Sequence, residues 1–226
     1  MGQGISEVLT FAIGVAISPV PVIAVILMLF SDRARVNGPA FLLGWVVALA
    51  AVSTVVYVLA HDGNVATSST ADDTVSWGKI LLGVALLALA RRNWRKRPGP
   101  GAEPEMPKWL TTVESMSPAK AFGLAVVLAA VNPKNLILTL GAAAGLAQVP
   151  GLSTSDAVVA IAVFVVIATL SIAAPVLYAS VGGEKARASL DSAKSWLTVH
   201  NAAVLAAIFL VLGVDLIAKG LPPLTS

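Results

Sequence analysis

Two short motifs interrupt long apolar runs with residues that a membrane helix normally avoids: Ser18-Pro19-Val20-Pro21 and Asn132-Pro133-Lys134-Asn135. A proline has no N–H and collides with the carbonyl four residues earlier. In lipid a freed carbonyl is costly unless something pairs with it, and broken backbone is tolerated where it lines a cavity. Counting about 1.5 Å per residue from the start of each run places both motifs near the bilayer middle. A plain kink accounts for one such motif; two at matching depth point to a substrate site. Lys134 carries a charge where burial costs at least about 2.5 kcal/mol, so it must face protein or water. Three roles are open to it: binding an anionic group, carrying a proton, or a structural role with Asp215 as its partner, although Asp215 lies nearer the outer face. Asn135 and Thr139 follow on the same helix and can supply hydrogen bonds. A lone buried cation burdens the fold, so its removal is expected to leave the fold intact or firmer.

Other chemistry is excluded or unsupported. The chain has no cysteine, which removes disulfides, thiolate metal sites and dithiol redox work. No Cys, His, Asp or Glu sits near the middle of a span, so no metal site is expected. No nucleophile–base pair, paired carboxylates or Gly-rich phosphate loop is present; no enzyme activity, cofactor or nucleic-acid partner is expected.

The elements that position the motifs follow from hydropathy. The 226 residues are 57% hydrophobic and 12% charged, with a mean hydropathy of +0.87. A soluble domain carries about 25% charge, so lipid is the expected solvent. Six apolar runs emerge: Val8 to Phe30, Pro39 to Ala60, Val75 to Ala90, Ala121 to Val149, Ala157 to Val181 and Trp196 to Gly220. Five reach the ~20 residues a span needs. The third is short and relies on Lys79 snorkelling to the surface. The first lacks a basic leader and is too long for a signal peptide.

Loop charges alternate. Arg33 and Arg35 mark the first loop, Arg91 to Arg97 with Lys108 the third, and Lys185, Arg187 and Lys194 the fifth. The second loop has Asp62, Asp72 and Asp73 without Lys or Arg, and the fourth is also free of basic residues. Positive loops stay cytoplasmic, which places the chain in the inner (cytoplasmic) membrane with both termini outside. Ser117-Pro118 and Ser153 to Asp156 read as helix starts, and Asp73 or Thr74 as a cap for the third span. Pro98-Gly99-Pro100-Gly101 breaks the third loop, and Trp109, Leu110, Val113 and Met116 beyond it predict a short amphipathic helix on the inner leaflet. The run Arg91 to Arg97 serves topology or binds anionic headgroups. Gly141 and Gly145 predict internal packing rather than a dimer seam, and His200 an interfacial position.

An offset of 114 residues lays span one on four, two on five and three on six, with Ser18-Pro19 falling on Asn132-Pro133. Three spans per half is odd, so the halves have opposite orientation, as in many secondary transporters. The predicted architecture is an all-α polytopic membrane protein of six transmembrane helices, arranged as two inverted three-helix repeats with helices one and four broken by proline. Residues 1–97 form the first repeat, 98–117 the cytoplasmic linker and 118–226 the second repeat.

Proline-broken first and fourth spans with an Asn-Pro-Lys motif in the fourth resemble the lysine-exporter superfamily. Pro107-Lys108-Trp109, Ser117-Pro118 and Ala129 to Leu136 are similar, more closely, to its peptidoglycolipid- or sulfolipid-addressing branch in actinobacteria. Ser18, Pro19 and Pro21 match that branch's first-helix motif, and Asn132, Pro133 and Lys134 the fourth-helix one. The resemblance implies movement of a cell-envelope lipid or glycolipid to the outside. With Asn135 and Thr139, these residues form the candidate substrate-binding set. Export of an amino acid or other small polar solute is the alternative, and an accessory role in a larger lipid exporter a third. Membrane lipids and the cargo are the expected partners, with a homodimer or an envelope-lipid export machinery as protein partners. A lipid cargo requires a cavity that opens sideways between helices.

Overall fold

The computed structural model describes residues 2–62, 69–97 and 108–221, and it is all-helical across them. Eight α-helices follow in order: α1 (Gly2–Ala16), α2 (Pro19–Leu29), α3 (Ala34–Asp62), α4 (Ser69–Arg95), α5 (Pro118–Ala130), α6 (Pro133–Ala147), α7 (Thr154–Val181) and α8 (Gly183–Gly220). A 3-10 helix, Lys108–Ser115, precedes α5. The Pro98 to Gly101 break and the side chains of Asp72, Asp73, Lys79 and Trp109 lie outside what is described.

Both proline motifs break their spans. α1 and α2 meet at 53°, α5 and α6 at 62°. In each pair the proline takes the first position of the new helix, where its missing N–H would have no partner anyway. Ser117 and Ser153 cap α5 and α7 as expected, accepting from the backbone N–H of Lys120 and Asp156.

Three helices, α3, α7 and α8, are long and apolar enough to cross a membrane, and five elements qualify if each bent pair is one span. Large apolar side chains such as Leu43, Leu59, Leu81, Val166 and Leu177 stand exposed on the bundle surface. Apolar exteriors of this kind belong against lipid, and the chain is a multi-pass membrane protein. The expected third span, α4, does not qualify among the described residues. It is long at 27 residues but includes Asp72, Asp73, Lys79 and three arginines, Arg91, Arg92 and Arg95. It also starts at Ser69, so Asp73 and Thr74 lie within the helix rather than capping it.

The packing crosses between the two halves of the chain. α3 lies on α5 and α6, and α7 lies on α1 and α2. α4 runs along α8, closest at Gly83 and Gly213. A Cβ on Gly83 would sit 2.7 Å from the Gly213 carbonyl oxygen, so only glycine lets these backbones meet. Gly141 and Gly145 receive Phe11 and Glu7 of α1, which makes them internal packing positions as expected.

Two expectations need correction. Leu110 and Val113 are buried in the protein core, so the apolar side of the 3-10 helix turns inward against α2 instead of onto the leaflet. Burial against a ready protein surface removes the same apolar area from water as lipid would, without leaving a gap under α2. The basic residues Lys185, Arg187 and Lys194 are not in a loop but on the first turns of α8, which begins directly after α7. Gly183, at φ +54°, makes that abrupt junction possible. Arg187 and Lys194 lie over the Phe30 ring at 5.3 and 5.2 Å.

Candidate functional site

The break after α1 leaves a specific set of carbonyls without helical partners. In an unbroken helix Val15 O would accept from residue 19 and Ile17 O from residue 21, but both are prolines. Gly14 O would accept from Ser18 N, which turns instead to Ala16 O at 2.9 Å. Side chains supply the replacements. Ser18 Oγ donates to Val15 O at 2.6 Å. Lys134 Nζ donates to Gly14 O at 2.6 Å, to Ile17 O at 2.8 Å and to Ser18 Oγ at 2.6 Å. An ammonium has three donors, and all three are engaged.

Lys134 therefore stands in for the N–H of Ser18, which has turned away, and for the one that Pro21 lacks, with charge-assisted bonds to the negative end of the α1 dipole. It is 6% exposed. The cation is not alone, and Asp215 is not its partner: its bonds reach across to α1, not to α8.

The second break closes differently. Val131 N keeps its helical bond to Val127 O at 2.9 Å, and Asn132 N turns to the same carbonyl at 3.1 Å, which frees Leu128 O. Asn135 Nδ2 donates to that carbonyl at 3.0 Å. Asn132 Oδ1 caps α6 by accepting from Lys134 N at 3.1 Å. Asn135 Oδ1 lies 2.9 Å from Ser18 Oγ, so the one hydroxyl proton is shared between it and Val15 O. A polar network thus joins the two breaks through Ser18, Lys134 and Asn135.

A pocket of about 230 Å³ lies between the breaks. Ser18, Pro19, Val20 and Pro21 form one wall, and Asn132, Pro133 and Lys134 another. α4 adds Leu89 and Asn93, and α8 adds Leu205 and Phe209. Six of the eight expected residues meet here. Asn135 and Thr139 lie behind the wall, fully buried. Thr139 Oγ1 has no hydrogen-bond partner among the described residues.

Asn93 is the polar lining residue that sequence reading missed. It sits beside the arginines of a basic helix end, and its bond to Leu89 O at 2.9 Å is a local one. Leu89, Leu205 and Phe209 carry no signal in sequence that separates them from other span residues.

An all-helical membrane protein with two proline-broken helices facing one pocket is the class that this geometry defines. The sequence match to the family described as Sap, sulfolipid-1-addressing protein, spans residues 8–222, and the chain belongs to that family. No curated protein and no solved structure matches it.

Proposed function

We propose that this protein is a carrier, not an enzyme, that exports a cell-envelope lipid or glycolipid across the inner membrane. The observation that carries the reading is the single pocket shared by the breaks of α1/α2 and α5/α6, with Lys134 of one break holding the other. The family description supports a lipid as cargo. In the reading proposed, the cargo's anionic or polar head group enters the pocket and competes with Gly14 O and Ile17 O for the Lys134 ammonium. Loss of those bonds loosens α1 against α6 and lets the halves move.

The reading takes α4 as the third of six spans and the two halves as inverted repeats of the lysine-exporter type. The reciprocal packing of α3 on α5/α6 and of α7 on α1/α2 supports that symmetry. Both termini then lie outside. An impermeant thiol reagent on intact cells should label Ser68→Cys and Ser226→Cys but not Gly99→Cys; labelling at Gly99 would overturn the orientation.

The lining of the pocket favours a lipid over a free amino acid, since Val20, Leu89, Leu205, Phe209 and three prolines dominate it. The test is reconstitution of the purified protein in vesicles, with labelled envelope lipid and labelled amino acids offered separately. Lipid flux supports the proposal. Amino-acid flux alone selects the small-solute exporter, and no flux without an added partner selects an accessory role.

A further inference from the structure

Outside the pocket, α1 and α8 leave a second groove of about 370 Å³. On the α1 side it follows Leu9 and Ile13 of the helix and Ile17 just beyond its end, a stripe of i, i+4 positions on one face. On α8 it follows Ala207, Ile208 and Val211. Thr10 is its one polar lining side chain.

Two observations set this groove apart from an ordinary lipid-facing crevice. Its inner end is the α1 break itself: Gly14 and Ile17 line it, and their carbonyls are the ones Lys134 holds at 2.6 and 2.8 Å. The ammonium thus stands directly behind the end of an apolar channel. The groove is also confined to one side of the break. α8 packs along α2 beyond the break but only touches α1 before it, so the seam is closed on one half of the span and open on the other.

We infer that this groove holds an acyl chain of the exported amphiphile while its head group lies at the breaks. The inference rests on the lipid-export reading and on the outward placement of the α1 start. A lipid of the inner leaflet points its tails toward the outside. Raising its head group to the bilayer middle carries those tails into the outer half, where the α1/α8 seam is open. The tail never leaves an apolar environment, and the cost of moving it is avoided. Head-group capture and tail capture are then adjacent but separate, one on the polar side of α1 and the other on its apolar side.

The experiment uses vesicles of phosphatidylethanolamine and phosphatidylglycerol, with a trace of phosphatidylglycerol carrying a diazirine in its acyl chain. Illumination should label peptides 9–17 and 207–212, and excess unlabelled phosphatidylglycerol should compete. Ala207→Trp, which fills the groove from an exposed position, should reduce that labelling roughly tenfold, equal to about 1.4 kcal/mol of binding. Ile13→Trp, from the opposite wall, should give the same loss, so one misfolded variant does not decide the matter. Leu210→Trp, exposed on α8 but outside the groove, should change nothing. Equal labelling around the whole bundle, insensitive to Ala207→Trp and Ile13→Trp, would show annular lipid only and overturn the inference. Lipid flux that survives both tryptophans would also overturn it while leaving lipid export standing. Competed groove labelling without any lipid flux would support the groove while export fails.

Discussion

The two broken helices solve the same problem with different means. The break at Ser18 has two prolines and one hydroxyl of its own, too few donors for Gly14, Val15 and Ile17. It takes its remaining donors from Lys134, more than a hundred residues away in sequence and in the other half. The break at Asn132 has one proline; its own Asn135 holds Leu128 O and its own Asn132 caps α6. At the offset that aligns the halves, Lys134 corresponds to Val20 and Asn135 to Pro21. The first half therefore takes donors from the second, while among the described residues no side chain of the first half donates to a backbone carbonyl of the second break. The end of α1 is satisfied only while α6 sits beside it, which makes α1 the part that can be released.

The largest effect that tests this asymmetry is Lys134→Met. It strips the donors from Gly14 O and Ile17 O and leaves Ser18 Oγ short of a partner. Each unsatisfied buried group costs about 1–3 kcal/mol, so the folded state should lose several kcal/mol in detergent unfolding followed by circular dichroism. The sequence-based expectation of an unchanged or firmer fold is reversed, because the cation has three acceptors. Stability equal to the wild type would show that water replaces the ammonium. Lys134→Arg should recover only part, since the planar guanidinium cannot aim its donors as the compact ammonium does.

Asn135→Ala comes next. It leaves Leu128 O without its side-chain donor in a fully buried position, and a loss of about 1–3 kcal/mol is expected by the same unfolding measurement. A loss as large as that of Lys134→Met would show that the second break leans on Asn135 as heavily as the first leans on Lys134.

Ser18→Ala should cost less, about 0.5–1.5 kcal/mol for the bond to Val15 O. Combined with Lys134→Met it becomes informative, because the two side chains share a bond of 2.6 Å. A double-mutant cycle should give a coupling of about 0.5–3 kcal/mol. Additive losses would mean that the two side chains serve the break independently.

The breaks were legible in sequence because proline changes the donor count of a chain in lipid, whatever surrounds it. The interior position of Lys134 was legible for the same reason: few residues explain a cation at that depth. What occupied the cation was not legible. Its acceptors are backbone carbonyls, present at every residue, and only the approach of α6 to α1 selects Gly14 and Ile17 among them. A side-chain acid such as Asp215 is conspicuous in sequence, and a carbonyl is not. The stretch around Leu110 and Val113 failed for a related reason. Its apolar face was readable, but periodicity says that a face is buried and not whether lipid or protein buries it.

The smallest effect on stability should come from Asn93→Leu, and it separates the pocket from the scaffold. Asn93 lines the pocket, yet its side chain bonds to Leu89 O of its own helix, one turn away. Leucine removes that bond without stranding a group from another element, and a partly exposed helix carbonyl already has its helical partner. Unfolding should therefore shift by no more than about 0.5 kcal/mol. Transport should respond differently. Among the side chains that α4 and α8 bring to the pocket, Asn93 is the polar one, opposite Asn132 and Lys134. A head group at the breaks would need a hydrogen-bond partner there, and leaving a buried polar group unpaired costs about 1–3 kcal/mol. Lipid flux in vesicles should then fall by roughly tenfold at unchanged stability. Unchanged flux would place the head group against Lys134 and Asn132 alone, on the side of the pocket that the two breaks build by themselves.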